Sequence, residues 1–226
     1  KALARIIATA ATISVNWFVF IWSVQNGRAI EASFGYYIFP LVAVALGRIV
    51  LGEELRRGQW VAIGLASCGV AVLGAGLGIA PWIPFVLSTT FGAYGLIKRQ
   101  MGVPSVVSVL GETLLLTPFA LALFWALHLG WIGDGAGNHF GRDWGHSAML
   151  AFSGVLTGGP LMLFAYAAQR VRMATVGLVQ YVNPTLQFGV AALVFHEALT
   201  GWHALALVLI WAAIAIYSWV GLRRAR

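Results

Sequence analysis

Apolar residues in this chain come in long runs, and polar residues are confined to the short stretches between them. Eight runs stand out, at 5–24, 33–51, 59–76, 81–97, 104–127, 147–168, 174–195 and 203–221. A hydrocarbon core about 30 Å thick takes roughly 20 helical residues per crossing, and every run is near that length. Inside lipid the backbone has no water to bond with, so a crossing run satisfies its own amides by becoming a helix. The regular apolar–polar alternation of a membrane β-barrel strand is missing. The pattern predicts an all-α membrane protein with eight transmembrane helices in this chain.

Two stretches echo each other. ASFGYYIFPLVAVALGRIVLGEELRRGQW, from Ala32, runs parallel to ATVGLVQYVNPTLQFGVAALVFHEALTGWH, from Ala174. Both open on Ala-Ser/Thr-x-Gly (Ala32, Ser33, Gly35; Ala174, Thr175, Gly177). In both a glutamate follows a proline by 13 positions, Pro40 to Glu53 and Pro184 to Glu197. Two runs precede the 147–168 run that leads into the second copy, whereas none precedes the matching 5–24 run. The repeat therefore predicts two five-helix units, with two further apolar segments ahead of Lys1. Residues 1–78 hold the last three helices of repeat 1 and residues 79–226 the five of repeat 2.

Charge then orients the chain. Charged residues make up only 9% of it against 60% hydrophobic, far below the roughly 25% charged of a soluble domain. The net charge of +7 lies at the ends of apolar runs rather than along one stripe, which argues against nucleic-acid binding. With both termini in the cytoplasm, every Lys and Arg falls inside except Arg28 and Arg142, as the excess of positive charge in cytoplasmic loops requires. An odd number of crossings per repeat makes the two repeats inverted, an arrangement recurrent in secondary transporters. The single cysteine, Cys68, excludes an internal disulfide and offers no metal cluster.

Polar groups inside such runs are costly and mark candidate chemistry. Glu112 lies about 12 Å along its run at 1.5 Å per residue, where a carboxyl can exchange a proton, hold a cationic substrate, or bond to a neighbouring helix. Gln180, Asn183 and Gln187, spaced three and four apart, share one helical face, and Pro184 frees a carbonyl near position 180. That stripe fits a solute pathway or interhelical packing. Asn16 is a weaker candidate for lining a cavity. Lys98 and Arg99 read as inner-loop charges, and Glu53–Glu54 with Arg56–Arg57 as a solvated turn. Trp22, Trp60, Trp82, Trp202 and Trp219 fall toward run ends, as in an interfacial belt. The loop Gly130–His146 carries Asp134, His139, Asp143 and His146, but its glycines favour an extracytoplasmic loop over a metal site. No zinc pair, phosphate-binding loop or nucleophile elbow occurs.

The stretches NWFVFIWSVQNGRAIEASFGYYIFPL, LGEELRRGQWVAIGLASCGV, FGAYGLIKRQ, GETLLLTPFAL, LTGGPLMLFAYAAQRV and GLVQYVNPTLQFGVAALVFHEALT resemble the RarD-type branch of the EamA transporters, in the drug/metabolite transporter superfamily. The resemblance implies ten helices in two inverted five-helix repeats, a bacterial cytoplasmic membrane, and secondary transport of a small solute with a link to chloramphenicol sensitivity. No catalytic residue carries over. The expectation is an alternating-access permease, not an enzyme, without metal or organic cofactor. Asn16, Glu112, Gln180, Asn183 and Gln187 would bind the substrate, and Glu112 would be the coupling group, with protons the candidate coupling ion. The rivals are a membrane-embedded lipid-modifying enzyme and a non-transporting scaffold.

Overall fold

The computed structural model describes residues 2–78, 82–131, 140–141, 143–183, 185–186 and 201–222. Among them the chain forms eight helices and no strand: α1 (Ala2–Gln25), α2 (Ala29–Ile49), α3 (Arg57–Leu77), α4 (Trp82–Arg99), α5 (Ser105–His128), α6 (Trp144–Arg170), α7 (Met173–Val179) and α8 (Gly201–Leu222). Six stretches are long and apolar enough to cross a bilayer: α1, α5 and α6 in full, and Glu31–Ile49, Arg57–Gly76 and Gly201–Val220 of α2, α3 and α8. Of the remaining two predicted crossings, α4 is helical over the expected range but less apolar. The 174–195 run is interrupted within its described part. α7 stops at Val179, Gln180 and Tyr181 form a turn, and helical geometry resumes at Val182.

The interruption has a local cause. A proline at 184 has no N–H to give the carbonyl four residues earlier, and its ring crowds that carbonyl. The Gln180 carbonyl is taken instead by the Asn183 N–H at 3.1 Å, and the Tyr181 N–H bonds the Leu178 carbonyl at 3.2 Å. The first of these tighter three-residue bonds answers the carbonyl that the proline leaves without its usual donor. Tolerance of proline within membrane helices rests on such local adjustment.

The helices are dressed for lipid. On α5, Val106, Val107, Leu110, Leu114, Phe119 and Leu121 are exposed. On the same helix the buried residues are Ser105, Ser108, Val109 and Glu112. A soluble protein arranges these classes the other way round. In α6 the apolar residues Met149, Leu150, Phe152, Val155, Leu156 and Leu163 are likewise exposed. Asp143 receives the His146 backbone N–H at 2.9 Å at the start of that helix. That bond, with one from the His146 ring, holds the Asp143 carboxyl below the usual carboxylate range.

The contacts divide the chain into two compact units. One contains residues 1–11 and 97–170, the other residues 12–96 and 171–226. In the first, α5 packs on α6, and Ile6 of α1 lies against Gly111 of α5. In the second, α3 pairs with α8 along most of their length, and α2 crosses α7. Its core gathers Val44 from α2, Ala62 and Ala66 from α3, Ala174 and Leu178 from α7, Tyr181, and Ile210, Ala213 and Tyr217 from α8. Small residues set these distances. Gly69 lies against the Ala206 carbonyl and Ile210 of α8, and Gly76 against Trp202. Helix pairs in lipid gain mainly from close packing, which small residues permit.

The α2–α7 crossing is the tightest case. A Cβ placed on Gly177 would sit 2.9 Å from the Pro40 carbonyl oxygen, 3.1 Å from the Pro40 Cα and 2.8 Å from the Ala43 Cβ. Two of these three atoms are backbone and cannot swing aside. Overpacking costs about 1–3 kcal/mol, while alanine gains up to about 1 kcal/mol of helix propensity over glycine. Gly177→Ala is therefore expected to lower the unfolding free energy by about 1–2 kcal/mol. Gly64→Ala, where nothing lies within 4 Å, should be neutral or mildly stabilising. Thermal unfolding in detergent checks both, and equal behaviour of the two variants would contradict the crossing.

Candidate functional site

The first polar centre lies in the unit formed by residues 1–11 and 97–170. Ser105, Ser108 and Glu112 recur at three- and four-residue intervals, so they share one face of α5, and all three are buried. Opposite them, in the last turn of α4, stands Lys98. Its Nζ lies 2.6 Å from the Glu112 Oε1, and the two side chains are 0% and 4% exposed. The ammonium also donates to the Ser108 hydroxyl, which donates in turn to the Glu112 Oε1 at 3.4 Å. Two turns of α5 thus present a carboxylate and a hydroxyl to one buried cation.

The short α4–α5 connection holds this geometry. Its residues 100–104 are anchored by two donors from elsewhere in the unit. Arg5 of α1 donates to the Gln100 carbonyl, and Gln169 Nε2 of α6 donates to the Val103 carbonyl at 3.0 Å. Arg99 returns a bond to the Gln169 carbonyl at 3.0 Å. With the loop pinned on both sides, the last turn of α4 and the first turns of α5 have one register. Lys98 is therefore not the solvated loop charge expected from its position at the end of a run. The run's end is where the chain turns back, and the side chain reaches inward to Glu112. The signal available in the sequence was the pairing itself: a lysine two residues before a tight connection and an acid about two turns after it.

The second centre lies in the other unit. Asn16 of α1 gives its amide to the Leu87 carbonyl and to the Thr90 hydroxyl of α4, both at 2.8 Å. The Thr90 hydroxyl is itself bonded to the Val86 carbonyl at 2.7 Å. Near one end of the same helix pair, Trp22 and Trp82 meet at a tilt, with centroids 5.8 Å apart. Asn16 thus ties α1 to α4, as an interhelical amide does in lipid.

Gln180 and Asn183 belong to this same unit, at the break after α7, and both are half-buried. Gln187, predicted to continue their stripe, lies outside the described residues, as do Asp134 and His139 of the long loop. Between the two amides, the Tyr181 side chain is fully buried. Its hydroxyl has no hydrogen-bond partner among the described residues. An unsatisfied buried polar group costs about 1–3 kcal/mol, so a hydroxyl in that position calls for an explanation. Glu112 thus falls in one unit and Asn16, Gln180 and Asn183 in the other.

Glu53 was expected in a solvated turn, and it does more. Gly52, with φ 65°, turns the chain so that the Glu53 carboxylate meets the start of α7. There it accepts the Met173 N–H at 2.8 Å and the Ala174 N–H at 3.3 Å. Gly47 leaves the room: a Cβ there would sit 2.8 Å from the Glu53 Oε2. A carboxylate on the first amides of a helix answers donors that have no partner within the helix and opposes the positive end of its dipole. Among the described residues no group of three metal-ligating side chains occurs.

Comparison with known proteins gives concordant results. The profile of the EamA-like transporter family matches residues 1–75 and 79–219. The chain is 46% identical to Protein RarD of Streptomyces exfoliatus over 96% of its own length and 68% of that protein's. It is 37% identical to an uncharacterized transporter of Vibrio cholerae, covering 96% of this chain and 71% of that one. A protein solved by crystallography superposes with a TM-score of 0.73 at 19% identity, covering 100% of this chain and 79% of the other. That last likeness speaks to the fold alone.

The buried pair generates a quantitative expectation. Removing one partner of a buried ion pair leaves an uncompensated charge and costs about 3–5 kcal/mol, whereas replacing both by apolar groups is often near neutral. Lys98→Met and Glu112→Leu alone are each expected to destabilise by a few kcal/mol, and the double variant by much less than their sum. A double-mutant cycle in detergent should return a coupling of about 3 kcal/mol. Additive effects would contradict the pairing.

Proposed function

The chain belongs to the EamA-like transporter family, in its RarD-type branch, and from that membership we propose that it is a secondary active transporter of a small solute working by alternating access. Membership makes it a membrane transporter of the drug/metabolite type. The finer reading rests on three supports. The repeated pattern around Pro40–Glu53 and Pro184–Glu197 fits two inverted five-helix repeats, divided between residues 78 and 79. The basic residues at the run ends favour an inner membrane with both termini cytoplasmic. The observation that carries most weight is the ion pair of Lys98 and Glu112, buried in helices that otherwise show apolar side chains to lipid.

In this proposal Glu112 is the coupling group. While it is ionised, Lys98 and Ser108 hold it. Protonation of Glu112, or arrival of a cationic solute, removes the reason for Lys98 to stay at 2.6 Å, so the pair acts as a two-state element that a ligand can bias. Asn16, Gln180, Asn183 and Gln187 offer hydrogen bonds to the solute, and the Tyr181 hydroxyl, without a partner among the described residues, adds a donor beside Gln180. The proposal assigns no catalytic residue and needs no metal or organic cofactor.

The test is charge movement on a solid-supported membrane, screening small solutes under a proton gradient. A solute-dependent current is expected, and Glu112→Gln should abolish its dependence on the proton gradient. Tyr181→Phe should leave thermal stability unchanged or raised, since it deletes a buried hydroxyl that has no partner among the described residues, while weakening the apparent affinity for the solute severalfold. Proton-driven current unchanged in Glu112→Gln would remove the coupling role. A Tyr181→Phe protein that is less stable and transports normally would show that the hydroxyl is structural.

A further inference from the structure

A cleft of about 380 Å³ opens in the unit of residues 12–96 and 171–226, where the start of α3, the start of α7 and the end of α8 meet. Arg56, Gln59, Arg172, Thr175 and Tyr217 line it, with Glu54 and the apolar Leu55 and Val220. Its size falls within the roughly 300–1,000 Å³ of small-molecule sites. Neither the transport reading nor the Lys98–Glu112 pair makes use of it. The Tyr217 phenol, the Thr175 hydroxyl and the Gln59 amide form its neutral polar lining. Gln59, 7% exposed, is held by the Arg56 N–H at 2.9 Å.

The charges in the cleft are unbalanced. Neither Arg56 nor Arg172 makes an ion pair within 4 Å with a described residue. Of the two carboxylates nearby, Glu53 is already bonded to the Met173 and Ala174 amides. Glu54 is exposed and stands alone against two guanidiniums. Arginines without an ion-pair partner among the described residues, with hydroxyl and amide neighbours, suit the chemistry of a phosphate, which accepts several bonds from planar forks. The level of the cleft points the same way. Trp60, three residues into α3, is 51% exposed, and Trp219, near the end of α8, is 62% exposed. Exposed tryptophans at helix ends mark the headgroup region of a bilayer. Leu55 and Val220 offer an apolar flank to whatever carries the anion.

We infer that this cleft binds a phosphate group, with Arg56 and Arg172 as its ligands and the headgroup of an anionic phospholipid as the source its position favours. A free phosphate from the aqueous side has the same chemistry, and the experiment separates the two. Binding here does not depend on what solute the protein carries.

The purified full chain in a maltoside detergent, which contains no phosphate, is titrated with phosphatidylglycerol, with diacylglycerol of the same acyl chains, or with inorganic phosphate. Thermal unfolding followed by tryptophan fluorescence is the readout. Phosphatidylglycerol is expected to raise Tm and diacylglycerol to leave it unchanged. Arg56→Gln with Arg172→Gln should raise the lipid concentration for half the shift at least threefold, and Glu54→Gln should lower it. A shift from inorganic phosphate alone, with the same dependence on the arginines and Glu54, upholds the site and assigns it to a soluble anion. Equal shifts from both lipids, or arginine variants that respond as the unmodified chain does, overturn it. If the double arginine variant does not fold, Glu54→Gln decides, because an anion site requires tighter binding and a merely structural role leaves the titration unmoved.

Discussion

Lys98 and Glu112 meet at 2.6 Å with almost no exposure, and the constraint that forces them together governs the rest of the chain. A bilayer offers no water to an ion, so a charge carried into it must find its partner within the protein. The pinning of residues 100–104 by Arg5 and Gln169, with Arg99 tied back to Gln169, makes sense in these terms. An ion pair in low dielectric is worth its desolvation only when its geometry is held, and three long-range bonds hold the turn that sets it. The same rule operates on the backbone. Glu53 answers the amides at the start of α7, and the Asn183 N–H answers the Gln180 carbonyl that a proline cannot reach. Asn16 spends its amide on α4 for the same reason.

This constraint also explains which parts of the structure could be read from sequence. Seven of the apolar runs correspond to helices over nearly their full length, because in lipid an apolar run has no other way to satisfy its backbone. The run at 174–195 was read as one helix since hydropathy measures side chains, and the side chains on both sides of Gln180 are equally apolar. What interrupts it is a missing backbone donor, a property of Pro184 that the sequence does contain but that hydropathy averages away. The proline was recognised as freeing a carbonyl. That the freed group would be recaptured three residues away, and the helix stopped, needed coordinates.

The candidate site was legible in a similarly uneven way. Glu112 stood out because an acid inside an apolar run has no ordinary explanation. Lys98 did not, because a lysine at the end of a run has a perfectly ordinary one in membrane orientation. Only the fold of the α4–α5 connection shows that its ammonium points at Glu112 rather than into solvent. Glu53 was missed for the same reason, since its partner is 120 residues away in sequence and consists of backbone amides, which carry no sequence signature. Gln180 and Asn183 were singled out for their spacing. The neighbour with the unanswered hydroxyl, Tyr181, was passed over because tyrosine among apolar residues looks like core.

The central claim is that Glu112 is ionised and held by Lys98. Infrared spectroscopy of the chain carrying ¹³C-labelled glutamate, compared with its Glu112→Gln variant at neutral pH, tests it most directly. The account predicts that the difference spectrum loses a carboxylate stretching band, and that Lys98→Met perturbs that same band. Loss of a protonated carbonyl band instead, indifferent to Lys98, would contradict it.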